Sequence, residues 1–101
     1  MPVVTDERLR EYSVGSRSGM TRAEFEETFP REYAAWLAGD ESILLPGAES
    51  TADVLARMVP ALRGYLESLG AGETGVVVTH GACMRAAMLE LLDLPQSADE
   101  A

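Results

Sequence analysis

Residues 76–81 read Val-Val-Val-Thr-His-Gly, and the fold turns on how this stretch is taken. With Gly75 in front, Gly75 to Thr79 is a continuous β-branched run of the kind found in strands covered on both faces. The stretch is therefore expected to be a buried β-strand, Val76 to Gly81, that delivers His80 at its C-terminal end. Ala82 to Leu92 then follows helical spacing through Met84, Met88, Leu91 and Leu92 and closes at Pro95.

Upstream lies a long amphipathic helix. Ser50 reads as its N-cap and Asp53 as the reciprocal partner; Val54, Leu55, Met58, Val59, Leu62, Tyr65, Leu66 and Leu69 share one face up to Gly70, the expected C-cap. Pro60 removes one backbone bond from this helix and predicts a kink. Helix, buried strand and helix in sequence are the local grammar of an α/β sheet.

The N-terminal half is more broken. A short extended piece to Val4 leads into a polar loop marked by Gly15, Gly19 and their serines. Thr21 with Glu24 forms a capping box for a short helix through Phe25 and Phe29, which Pro30 stops or redirects. A second helix, Arg31 to Ala38, is expected to bury Tyr33, Trp36 and Leu37 before Gly39 ends it. Pro46-Gly47 reads as a turn opening toward the long helix.

A chain of 101 residues is one small domain, and 47% hydrophobic with 25% charged residues is ordinary for a folded one. Eight Lys and Arg against seventeen Asp and Glu leave a net charge of −9, which excludes nucleic acid and anionic membrane as partners of the chain as a whole. No apolar run approaches the length of a membrane span, and the first ten residues lack a secretory pattern. With Cys83 the single cysteine, an internal disulfide is excluded and a cytoplasmic setting is expected.

An anionic ligand would need local positive charge and free N–H groups, and the junction Thr79-His80-Gly81 is where a strand end meets a helix start. Gly81 would let a ligand approach the backbone. His80 there reads either as a satisfied structural residue or as an anion contact. Arg57 and Arg85 read as anion ligands or, more simply, as salt-bridge residues. Glu11 is one acid among seventeen, able to act as a general acid if burial raises its pKa toward working pH. Cys83, three residues after His80, is a thiolate or metal pair in one reading and a buried small hydrophobe in the simpler one. No metal and no cofactor is expected.

Taken together, ERLREYSVG, then PGAES followed by DVLAR, then VVVTHGACMR resemble the histidine phosphatase superfamily, which includes the phosphoglycerate mutase-like phosphatases. The resemblance runs from about Asp6 to Pro95. It implies an α/β, three-layer phosphoglycerate mutase-like fold, here incomplete, mostly helical with a small sheet, in a single domain over residues 1–96 with a polar tail over 97–101. It also implies phosphoryl transfer through a phosphohistidine, on a small phosphorylated metabolite, by a phosphatase or a phosphomutase.

The family's Arg-His-Gly motif, which carries the acceptor histidine, is absent from these residues, so the chain looks truncated and inactive by itself. By resemblance, His80 is the second histidine, which contacts the transferred phosphoryl group, and Glu11 is the proton donor to the leaving oxygen. Glu49 and Ser50 match the Gly-Glu-Ser segment, implying loop ordering and substrate contact; Arg57 and Arg85 match structural positions. Arg17 and Ser18 stand where many relatives have Trp-Glu, which puts the substrate preference in doubt, and Ala48 replaces the commoner glycine. Uncovered strand edges and apolar faces leave room for a homo-oligomer. The other reading is a non-catalytic α/β module that binds phosphate or a partner.

Overall fold

The computed structural model describes residues 2–96, and helix is its dominant regular structure. The four helices among the described residues are α1, Arg22–Thr28; α2, Pro30–Ala38; α3, Thr51–Ser68; and α4, Gly81–Leu91. Two short 3-10 turns, Glu7–Leu9 and Gly15–Arg17, precede them. The expected tail over residues 97–101 lies outside the described residues, as does Met1 at the start of the expected extended piece. No helix among the described residues is long and apolar enough to cross a membrane. The chain divides into two compact units, one drawing on residues 2–11 and 52–96 and the other spanning Tyr12–Thr51.

In the Tyr12–Thr51 unit the helix boundaries follow local chemistry. Thr21 caps α1 by accepting from Glu24 N at 3.1 Å, and its hydroxyl donates to the Glu24 carboxylate at 3.0 Å. Phe29 leaves helical geometry and Pro30 takes the first position of α2, where its missing N–H costs nothing. Gly39 ends α2 in the left-handed conformation, φ 71°. Phe25, Ala35 and Leu45 are buried in this unit. The expected burial of Trp36 and Leu37 does not hold: they are 44% and 57% exposed, because α2 turns the small Ala35 inward instead. An isolated antiparallel bridge joins Val14 to Ala48.

In the other unit the buried set comprises Val54, Met58, Val59 and Ala61 of α3 with Cys83, Ala86 and Ala87 of α4. Helix α3 runs unbroken through Pro60. Its apolar face is only partly covered, since Leu66 is exposed, as is Leu69 just past its end. Gly70 is not the left-handed cap that was expected: the positive φ of this turn falls on Gly72, φ 80°, while the Glu73 carboxylate accepts from Gly70 N.

The main correction concerns residues 76–81. No strand forms among the described residues, and residues 73–80 pair with no neighbouring strand. Val76 and Val78 are 83% and 85% exposed, whereas Val77, at 41%, faces an apolar groove with Met58, Leu62, Thr79, Met84 and Met88. One side of the run is thus partly covered and the other is open. The small sheet expected for the α/β fold is absent from the described residues, because a strand exists only by pairing and nothing here pairs with this segment.

Candidate active site

The stretch from Asp6 to Glu11 is held from several directions within one unit. Asp6 caps the first 3-10 turn, accepting from Arg8 N at 2.9 Å and from the Arg8 guanidinium at 2.7 and 3.0 Å, and the Tyr65 hydroxyl of α3 also donates to it. The Arg8 guanidinium, with help from Tyr65, holds the Asp6 carboxyl well below the usual carboxylate range. The same contact with the Asp6 anion pushes the Tyr65 phenol upward.

Backbone carbonyls further along are taken one after another. Arg57 of α3 donates to Arg8 O at 2.7 Å and to Glu11 O at 3.1 Å, while the Thr79 hydroxyl donates to Leu9 O at 2.5 Å. Arg57 therefore ties α3 to the segment that carries Glu11.

So fixed, Glu11 turns its carboxylate onto the start of α4. Oε2 accepts from Ala82 N at 3.1 Å and Oε1 from Cys83 N at 2.9 Å. These are two of the N–H groups that a helix leaves without internal partners, and they lie at its positive end. His80 stands immediately before, in extended conformation (φ −115°, ψ 157°), and its carbonyl accepts the first helical bond from Met84 N at 3.0 Å. The His80 side chain makes no capping bond and is exposed. At Gly81 an added Cβ would meet no atom within 4 Å, so the space beside the helix start is clear.

Glu11, His80 and Gly81 are thus gathered at one helix N-terminus, across about seventy residues of sequence. Glu49 and Ser50 belong to the other unit. There Glu49 accepts from Ser13 N at 2.8 Å through its carboxylate and donates its own N–H to Ser13 O at 2.9 Å, joining the segment before the Gly15 turn to the segment before α3. Ser50 directly precedes α3, and Thr51 places its N–H and hydroxyl on the Glu41 carboxylate at 3.0 and 2.5 Å.

Arg85 is exposed and donates to Gln96 O at 3.4 Å. Cys83 is buried, its thiol near Thr79 Oγ1 and His80 O, and among the described residues no cluster of three metal-ligating side chains occurs. Sequence reasoning missed the Asp6–Tyr65 contact, the Thr79 clasp on Leu9 and the Glu41–Thr51 pair. The Asp6–Tyr65 and Thr79–Leu9 contacts span 59 and 70 residues, and the Glu41–Thr51 pair spans 10 across a loop without a period, so none leaves a local trace.

The model of the histidine phosphatase superfamily (branch 1) matches residues 1–100. Phosphoserine phosphatase 1 of Hydrogenobacter thermophilus is 31% identical over 96% of this chain and 46% of its own length. A 2,3-bisphosphoglycerate-dependent phosphoglycerate mutase of a Methylobacterium is 28% identical over 90% of this chain and 44% of its own. The solved structure of a mycobacterial glucosyl-3-phosphoglycerate phosphatase superposes with a TM-score of 0.73 at 35% identity, covering 89% of this chain and 45% of that one. The chain spans a little under half the length of these relatives.

Proposed function

The chain belongs to the histidine phosphatase superfamily, and on that footing we propose that residues 1–96 carry the proton donor, Glu11, and the phosphoryl-contacting histidine, His80, of a phosphomonoester-processing site. The observation that carries this reading is the seat of Glu11 on the Ala82 and Cys83 amides, directly beside His80. The reaction is hydrolysis of a phosphomonoester, or transfer of its phosphoryl group to another position, on a small phosphorylated metabolite, the class of compound named for the relatives. The low cysteine count fits a cytoplasmic setting.

As placed, Glu11 accepts two N–H bonds, the arrangement of a carboxylate anion. A phosphoryl group that enters beside Gly81 competes for the same amides and releases the Glu11 carboxyl, which then takes up a proton from solvent and passes it to the leaving oxygen as the P–O bond breaks. His80 contacts a non-bridging oxygen as charge shifts onto the leaving group. The phosphorus forms its new bond to an acceptor histidine, and water later takes the phosphoryl group from that nitrogen.

His80 is the one histidine among the 101 residues, so with His80 in the contact role the acceptor comes from outside them. The isolated chain is then expected to release no p-nitrophenol from p-nitrophenyl phosphate. Turnover by the chain that disappears in His80→Ala would make His80 the acceptor and overturn this assignment.

A further inference from the structure

Two guanidiniums gather on one indole in the Tyr12–Thr51 unit. Arg17 Cζ lies 4.7 Å from the Trp36 ring centroid and 4.8 Å from that of Phe25, and Arg22 Cζ lies 5.0 Å from Trp36. The Phe25 and Trp36 centroids are 5.9 Å apart with their planes at 55°, too close to sandwich a guanidinium between them. Arg17 instead rests over the notch where the two rings meet. Tyr33 braces both rings from the side, edge-on to Phe25 at 5.3 Å and 5.9 Å from Trp36.

The arrangement is unusual for its charge economy. The chain has more than twice as many acids as bases, and Glu24, Glu26, Glu27 and Glu32 lie on the same two helices. Yet no hydrogen bond or ion pair ties either guanidinium to another described residue. Aromatic faces hold a guanidinium by its flat side and leave its rim of N–H donors available. A half-buried Arg17 held this way has lost much of its rotamer freedom before any ligand arrives and presents a fork that matches two oxygens of one anion.

We propose that Arg17, seated on Phe25 and Trp36 with Arg22 beside it, is an anion-binding site for a carboxylate or phosphoryl group of a small molecule. A polyanionic partner is disfavoured by the −9 net charge, which a small anion meets only locally. The proposal stands apart from the roles of Glu11 and His80 and does not depend on them.

Trp36 is the only tryptophan, so its fluorescence reports on this site alone among indoles. The intact chain is titrated with inorganic phosphate and, separately, with succinate. The expected result is a saturable change in Trp36 emission with one of the two, and that anion identifies the ligand as phosphoryl or carboxylate. Arg17→Met keeps a long side chain on the rings and is expected to weaken binding by about tenfold or more; Arg17→Lys, with charge but no fork, weakens it less. His80→Ala leaves the midpoint where it was. The proposal is overturned by the absence of a saturable change with either anion, by an unchanged midpoint in both Arg17 variants, or by loss of the signal in His80→Ala with its retention in Arg17→Met.

Discussion

Replacing Glu11 by alanine removes the side chain that accepts from the Ala82 and Cys83 amides, and the cost can be worked from the two bonds of 3.1 and 2.9 Å. Loss of a side-chain helix cap costs about 0.5–2 kcal/mol. A negative charge at a helix N-terminus contributes about 0.3–1 kcal/mol. The two figures overlap, since the same carboxylate supplies both, so about 1.5 kcal/mol is the working value. A chain of this size unfolds with an entropy of roughly 0.2 kcal/mol per kelvin, which turns that value into a fall in Tm of about 7 °C. Glu11→Gln keeps one acceptor oxygen without the charge and should lose about half as much. Thermal unfolding followed by circular dichroism measures the shift, and amide hydrogen exchange locates it at Ala82 and Cys83. A Tm within about 2 °C of the parent in Glu11→Ala would show that the carboxylate does not hold the start of α4.

Further expectations can be checked on the same chain. Arg57→Met removes the donors to Arg8 O and Glu11 O and should destabilise by about 2 kcal/mol in urea unfolding, with Arg57→Lys restoring less than half because an ammonium cannot span both carbonyls. Asp6 has a folded-state pKa below its unfolded value, so its contribution is present above the ordinary carboxylate range near pH 3.9 and lost as pH falls below it. The urea midpoint of Asp6→Asn should accordingly vary less than the parent's between neutral pH and pH 3, and parallel curves would contradict the assignment. Met58→Ala should cost about 2–5 kcal/mol, whereas Val76→Thr and Val78→Thr, at exposed positions, should each change stability by less than about 0.5 kcal/mol. Equal losses in the two groups would mean that the valine run is covered after all.

Local chemistry made the helices legible in the amino-acid sequence. Thr21 with Glu24, Pro30 and Gly39 each act within four residues, and the boundaries of α1 and α2 fall where those residues put them. Helix α4 was legible from its apolar spacing, which sets its start to within one residue. The valine run was not, because β-branched residues state a preference for a covered, paired environment and cannot supply the neighbours. Burial failed at Leu66, Leu69, Trp36 and Leu37 for a related reason: periodicity marks an apolar face, while coverage depends on what packs there.

At the site, His80 was placed by its position after the valine run, but its proximity to Glu11 was not readable from spacing. That contact spans 71 and 72 residues and rests on Arg57 and Thr79 holding the backbone of residues 8–11. Only the resemblance of three separated segments to one family singled out Glu11 among seventeen acids. The seat of Arg17 on Phe25 and Trp36 joins positions 8 and 19 residues apart and left no local signal either.

The central claim is that Glu11 and His80 share a phosphoryl site at the start of α4, and a nitrogen-resolved NMR titration of the chain with inorganic phosphate tests it most directly. The account predicts saturable shifts at the Ala82 and Cys83 amides and at the His80 ring, lost in His80→Ala and tightened in Glu11→Gln, where the competing carboxylate is gone. Shifts that leave these three positions untouched, or a response unchanged by either substitution, would contradict it.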